Sequence, residues 1–398
     1  MRTIAFVAPW FGENIPGGAE AELRGLTSHL HAAGVPLEIL TTCVKDFASD
    51  WSRNFHRPGT YVTSDGITVR RFRADKRNRA AFDNMNRKLM HGAPLSSSEE
   101  EVFLSESVRS RALNDYISQH TGDHSLFVYI PYMFGTTYDG IRICPEKSVL
   151  IPCLHDEPYA RLRAFRDLFP RTAGMVFNAA PEAELAEELY GLSASGTKTV
   201  VTGIGMDTDI TADPEDFRRK FGITEPFILY AGRKDGGKNV GTLVRYFREY
   251  LLRHDTPLRL VLIGGGDIDL PPELVSSGRI TDLGFVDKQD KFNALAAAEL
   301  LCQPSLNESF SLVIMESWLC GRPVLVHAEC PVTKGFVTEC SGGLYFGDYF
   351  EFEGCVDYIL RERDTAAAMG ENGRNYVTGH FDWSAMVNKY TEFFRKLT

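Results

Sequence analysis

The chain has 398 residues, 43% of them hydrophobic, which is too much for one ordinary core and predicts two domains. Its net charge of -10 falls mostly in the second half, about -2 for residues 1–200 against -8 for 201–398, which argues against a nucleic-acid partner. No stretch reaches the ~20 apolar residues of a membrane span, and the start reads as a buried strand and a glycine-rich loop rather than a secretion signal. The eight cysteines form no Cys-x-x-Cys pair. Most sit in apolar strand-like contexts (Cys43, Cys302, Cys340), so reduced core thiols in a cytoplasmic protein are expected.

In chain order, a strand over Ile4–Pro9 leads through Pro16-Gly17-Gly18 into a helix over Ala19–Ala33 stopped by Gly34. Leu37–Thr42 reads as a second strand, and Thr60–Phe72 as a hairpin turning at Asp65-Gly66. Ser96–His120 reads as one long helix. Leu126–Ile130, Val149–Leu154, Gly174–Asn178 and Thr199–Gly203 are further strands, with helices between. The polar, turn-rich Gly203–Pro214 is the best domain boundary. A second series then has strands at Phe227–Ala231, Leu258–Ile263, Ile280–Phe285, Leu300–Gln303 and Pro323–Val326. Its helices are Lys238–His254, Lys288–Ala298 and Ser309–Cys320, and the last ~35 residues are mostly helical. Alternation of this kind predicts α/β units with parallel sheets.

The most informative segment runs from Pro304 to Val326. It reads as a strand end, a polar loop with Asn307, Glu308 and Ser309, an amphipathic helix, a glycine stop at Gly321 and another strand. The helix N-terminus then opens at the carboxyl end of a strand, where free N–H groups favour an anion. Glu308 and Glu316 would flank it, and carboxylates suit sugar hydroxyls because each accepts two directed O–H bonds. Upstream, Gly232-Arg233-Lys234-Asp235-Gly236-Gly237-Lys238-Asn239 sets a guanidinium and an ammonium on a flexible loop, as a diphosphate requires.

These strings closely resemble the Glu-x7-Glu motif and the Gly-Arg…Lys-Asn loop of the retaining glycosyltransferases of group 1 (family 4). Ser309 and Ser311 stand where the family usually has glycine. The resemblance implies a GT-B fold, two Rossmann-like domains facing across a cleft. It implies an acceptor domain over 1–205, a donor domain over 206–379, and a C-terminal helix of about 380–398 packing back onto the first. By the same resemblance, Arg233 and Lys238 bind the donor's phosphates, Glu308 the 3- and 4-hydroxyls of the sugar and Glu316 the ribose. Backbone around Ser309, Phe310, Ser311 and Leu312 completes the donor site, with Gly264 in Gly264-Gly265-Gly266 and with Phe285 and Val286 near the base. Gly17 and Gly18 would face the donor phosphate, and His155 in Cys153-Leu154-His155-Asp156-Glu157 the transferred sugar. Asp156 and Glu157 could orient His155 or meet the acceptor, with no catalytic role assigned.

The expected function is transfer of a sugar, with retention, from a nucleoside-diphosphate sugar to a hydroxyl acceptor (a glycan, glycolipid or small molecule). No cofactor or metal is expected, on the reading that the sequence has no Asp-x-Asp motif and that arginine, lysine and a helix terminus can take a metal's place. The protein would be a monomer or homodimer, cytoplasmic or peripheral to a membrane. The basic stretch Arg70–Lys88, with Phe72, Phe82, Met85 and Leu89 interleaved, reads either as a surface for anionic lipid or, preferred, as a solvated helix with core positions. The rivals are a nucleotide-sugar epimerase of the same architecture and a non-catalytic sugar-nucleotide-binding subunit. A nicotinamide enzyme lacks its Gly-x-Gly-x-x-Gly fingerprint.

Overall fold

Short apolar runs lie between many of the helices, and the central ones, Leu37–Thr42 and Phe227–Ala231 among them, become strands buried on both faces. The computed structural model describes residues 2–398. Its strands are β1 Thr3–Ala8, β2 Leu37–Thr42, β3 Gly59–Val62, β4 Thr68–Phe72, β5 His124–Tyr129, β6 Ser148–Leu150, β7 Gly174–Phe177 and β8 Lys198–Val201, followed by β9 Phe227–Ala231, β10 Arg259–Ile263, β11 Ile280–Asp282, β12 Leu300–Gln303, β13 Val324–His327 and β14 Gly343–Phe346. The chain divides into two compact units, residues 1–205 with 383–398, and residues 206–382.

The first unit is built on an eight-stranded sheet ordered β3-β4-β2-β1-β5-β6-β7-β8, parallel apart from the β3–β4 hairpin at Asp65-Gly66. β1 is buried on both faces. Ala5 and Val7 join one apolar cluster, while Ile4, Phe6 and Ala8 join the other. The helix Trp383–Leu397 closes the second cluster with Tyr390, Phe393 and Phe394. The second unit has a six-stranded, wholly parallel sheet ordered β11-β10-β9-β12-β13-β14. Helices Val240–Arg253 and Tyr349–Arg361 cover one face. On the helix Leu312–Leu319, Ile314, Met315 and Trp318 are fully buried.

In each unit the order of strands reverses once, between β1 and β5 in the first and between β9 and β12 in the second. Parallel sheets leave a crevice at such a switch point, beyond the carboxyl ends of the strands.

Several expectations change. Ser96–His120 is two helices, Ser97–Ser105 and Arg111–Gln119. Ser96 and Glu99 form a capping box at the first, and the Ser110 hydroxyl accepts the Leu113 N–H to start the second. The strands expected over Val149–Leu154 and Ile280–Phe285 stop at Leu150 and Asp282, which leaves Cys153 and Phe285 in loops. Cys340 ends the helix Pro331–Cys340 rather than lying in a strand, and β14 had no counterpart in the sequence reading. All eight cysteines are free thiols, and among the described residues no helix is long and apolar enough to cross a membrane.

Candidate functional site

At the switch point of the second unit, three loops converge because each follows an adjacent strand. The loop after β9 leaves with Gly232 and passes Arg233 and Lys234 before a 3-10 turn, Gly236–Lys238. The Asp235 carboxylate caps that turn by accepting the Lys238 N–H (3.1 Å). Asn239 adopts the left-handed conformation (φ 55°), and its side-chain amide donates to Pro304 O at the end of β12 (3.0 Å). The helix expected from Lys238 therefore starts at Val240.

Lys238 Nζ lies 2.7 Å from Glu308 Oε1, the side chains being 22% and 9% exposed. Two residues seventy apart in sequence thus share one ionic contact at the carboxyl ends of β9 and β12. Arg233 is mostly exposed and its Nε reaches Asp235 Oδ2 at 3.4 Å. The second motif carboxylate, Glu316 Oε1, is met at 2.5 Å by Lys291 Nζ from the neighbouring helix Lys288–Ala297. Each expected sugar-binding acid therefore carries an ammonium partner.

The helix after β12 begins at Leu312, three residues later than expected, with Ser311 at its N-cap in a left-handed conformation (φ 78°, ψ 78°) and no side-chain cap. In its first turn the Ile314 N–H donates to Ser311 O (3.2 Å), and no N-cap side chain meets the N–H groups of Leu312 and Val313. Ser309 and Leu312 are half-buried. Phe310 sends its ring into the core against Phe336 and Phe381, so only its backbone faces the loop. Gln303, 4% exposed, donates from Nε2 toward Glu308 Oε1 (3.4 Å) and Ser311 Oγ (3.5 Å), while its Oε1 is buried without a partner.

The loop after β10 packs on the loop after β9. Gly264 (φ 122°) is obligatory there, because a Cβ would lie 2.0 Å from Gly232 O. Lys234, 3% exposed, ties the two loops and the end of β11 together. Its Nζ donates to Gly264 O (2.6 Å) and Asp282 Oδ1 (2.7 Å). Phe285 follows, 73% exposed, with its ring over Gly265, and Val286 beside it is half-buried. Arg233, Lys238, Gly264, Glu308, Ser309–Leu312 and Glu316 thus all lie on the loops and helix that follow β9, β10 and β12, with Phe285 and Val286 beyond β11.

The first unit holds the remaining candidates. Gly17 (φ 139°) is the N-cap of the helix Gly18–Ala32, and space beside Gly18 is open. Arg24 Nη1 donates to Ile15 O (2.7 Å) and Trp10 Nε1 to Glu20 Oε1 (2.7 Å), fixing the loop ahead of it. His155 is 30% exposed in the loop after β6, with Nδ1 3.9 Å from Glu157 Oε1. Asp156 pairs with Arg161 (2.6 Å).

Sequence reasoning missed Lys234, Lys291 and Gln303. Lys234 could have been noticed as a lysine directly following a buried strand, but nothing local marked it as buried. The basic stretch is largely turned inward or paired. Arg70 binds Glu38, Arg71 is buried against Phe11 O and Tyr61, Arg77 stacks over Trp51, and Lys88 binds Glu99. Phe82 and Leu89 are core residues, as in the preferred solvated-helix reading. Two Asp-x-Asp triplets overlooked in the metal-free expectation do occur, Asp207-Thr208-Asp209 and Asp267-Ile268-Asp269. Among the described residues, no group of three or more His, Cys, Asp or Glu is assembled to hold a metal ion.

Residues 213–376 match the family model of glycosyl transferases group 1. A D-inositol 3-phosphate glycosyltransferase of Frankia alni is 24% identical over 420 aligned positions, covering 99% of this chain and 98% of its own. A protein of the same name from Nocardia farcinica is 28% identical over 243 positions, 57% of this chain but only about half (53%) of its own. Among solved structures, Anabaena Alr3699/HepE in complex with UDP-glucose superposes with a TM-score of 0.67 at 17% identity, over 100% of both chains. The fold is GT-B, and the stretch similar to glycosyl transferases group 1 lies within the second unit.

Proposed function

We propose that the chain is a retaining, metal-independent glycosyltransferase moving a sugar from a nucleoside diphosphate to a hydroxyl acceptor. The observation that carries the reading is the Lys238–Glu308 contact at the switch point, beside Arg233 and the uncapped helix start at Leu312. One side of that contact offers cations and N–H donors for a diphosphate, the other a carboxylate for sugar hydroxyls. On donor binding, Arg233 and Lys238 stabilise the charge that develops on the leaving diphosphate. That phosphate takes the acceptor's proton on the same face of the sugar, so no dedicated protein base is needed. Glu308 holds the sugar and Glu316 the ribose, and the family resemblance gives His155 a contact with the transferred sugar.

UDP sugars are the first donors to try, since UDP-glucose is bound by Alr3699/HepE, and polyol phosphates the first acceptors, from the name shared by the relatives. The deciding experiment is thermal shift with UDP, GDP and ADP, followed by transfer assays in EDTA. A ligand at 100 times its Kd adds ~2.7 kcal/mol of stability. Failure of all three nucleotides to raise the melting temperature removes the donor site. Activity abolished by EDTA and restored by a divalent ion removes metal independence.

A further inference from the structure

The loop that carries His155 is held from inside the first unit by a carboxylate that the proposed reaction does not use. β6 ends at Leu150, and the chain then passes through Cys153 in a left-handed conformation (φ 52°) before reaching Leu154 and His155. Such a conformation is unfavourable for a residue with a Cβ and persists only where the surroundings over-determine it. Glu182, on the helix Ala180–Tyr190 and 2% exposed, supplies the constraint. Its Oε1 accepts the Leu154 N–H (2.6 Å) and its Oε2 the Asn178 N–H (2.5 Å). One side chain thereby staples the loop leaving β6 to the end of β7.

Glu22, from the helix that begins at Gly18, reinforces the staple. Its Oε2 accepts from Asn178 Nδ2 (2.9 Å) and from the Cys153 thiol (3.6 Å). Beyond His155, the Glu157 N–H donates to His155 O (2.9 Å), and the buried Tyr132 hydroxyl donates to Glu157 Oε1 (2.7 Å). The imidazole is therefore set on a backbone whose hydrogen bonds are fixed on both sides. Burying a carboxylate is costly, and an apolar side chain at position 182 would pack without that cost but leave two buried N–H groups unpaired.

We infer that Glu182 is a positioning residue, which fixes the Cys153–His155 backbone and acts on the transfer reaction only through His155. The inference rests on the reading of His155 as a contact of the transferred sugar. Glu182→Gln keeps the shape, but its NH2 group must face one of the two backbone N–H donors, so one arm of the staple is lost.

The test is a double-mutant cycle in the full chain with Glu182→Gln, His155→Ala and the pair, reading kcat and donor KM. Loss of one hydrogen bond's worth of alignment predicts a fall in kcat of about 10-fold with KM little changed. In the His155→Ala background the same substitution is expected to cost nothing more. Losses that multiply in the double variant overturn the inference. Glu182→Asp is run beside it, and urea midpoints show that each variant is folded. The ring resonances of His155 in labelled protein give a readout independent of turnover. They are expected to shift in both Glu182 variants, and an unchanged His155 signal overturns the inference. A His155→Ala enzyme with full kcat removes the sugar contact instead, and the resonances then decide the staple alone.

Discussion

Replacing Lys238 by alanine strips the proposed diphosphate site of its better-buried cation. In the unliganded protein Lys238 Nζ is 2.7 Å from Glu308 Oε1, and the side chain is 22% exposed, so the ammonium is already stationed where β9 and β12 end. When a donor binds, that charge contributes one charge-assisted hydrogen bond to a phosphate oxygen, worth ~1.5–3 kcal/mol. If the bond strengthens as the diphosphate departs, the loss appears in kcat. At 1.36 kcal/mol per decade it amounts to roughly 10- to 100-fold. Stability should suffer less, because Gln303 Nε2 remains near the same oxygen at 3.4 Å. Initial rates at saturating acceptor separate kcat from donor KM, and a thermal melt of the variant without ligand checks the fold. Lys238→Arg keeps the charge and should recover part of the rate. A folded Lys238→Ala enzyme with undiminished kcat refutes the role given to this residue.

Three more outcomes follow from the geometry. Burial pushes the Glu22 carboxyl up to about 7 and Glu182 up to about 8 from 4.5. The folded state therefore holds protons that the unfolded chain has released, and stability falls as pH rises through the folded values. For Glu22 alone, ~1.4 kcal/mol should be lost between about pH 6 and about pH 9, and urea midpoints should show a shallower pH dependence in Glu22→Gln. Gly264→Ala, with its Cβ 2.0 Å from Gly232 O, should force the loops after β9 and β10 apart, lowering the melting temperature and nucleotide affinity together in a thermal-shift titration. Ser311→Gly should relieve the left-handed backbone at φ 78° and stabilise the folded protein by ~1 kcal/mol in urea denaturation, because a Cβ there is disfavoured.

The last of these shows what the sequence made legible. Glycine is the usual family residue at position 311, and the structure supplies the reason, since the chain must turn left-handed to open the helix at Leu312. Ser309 carries no such demand, and its replacement of glycine leaves the backbone in an ordinary conformation. The strands of the second unit were readable because each is a short apolar run bounded by turn residues. β14, with its exposed Tyr345 and glycine start, was not. The break between the helices Ser97–Ser105 and Arg111–Gln119 was written in Ser107 and Ser110, but the apolar pairs Leu104–Val108 and Leu113–Ile117, each four apart, kept helical spacing on either side of it. Glu308 and Lys238 were legible as separate motifs, whereas Lys291, Lys234 and Gln303 act through tertiary contacts that no local pattern encodes.

The helix Trp383–Leu397 belongs to the unit begun by residues 1–205, and its first residue locks that membership. Trp383 stacks on His29 (4.1 Å between ring centres) and fills the space left by the missing side chains of Gly25 and Gly205. Without this helix the cluster that holds Ile4, Phe6 and Leu23 would lose the cover given by Tyr390, Phe393 and Phe394, while residues 206–382 form a compact unit of their own. A variant cut after residue 382 should therefore keep one finished unit beside one sticky, chaperone-dependent half.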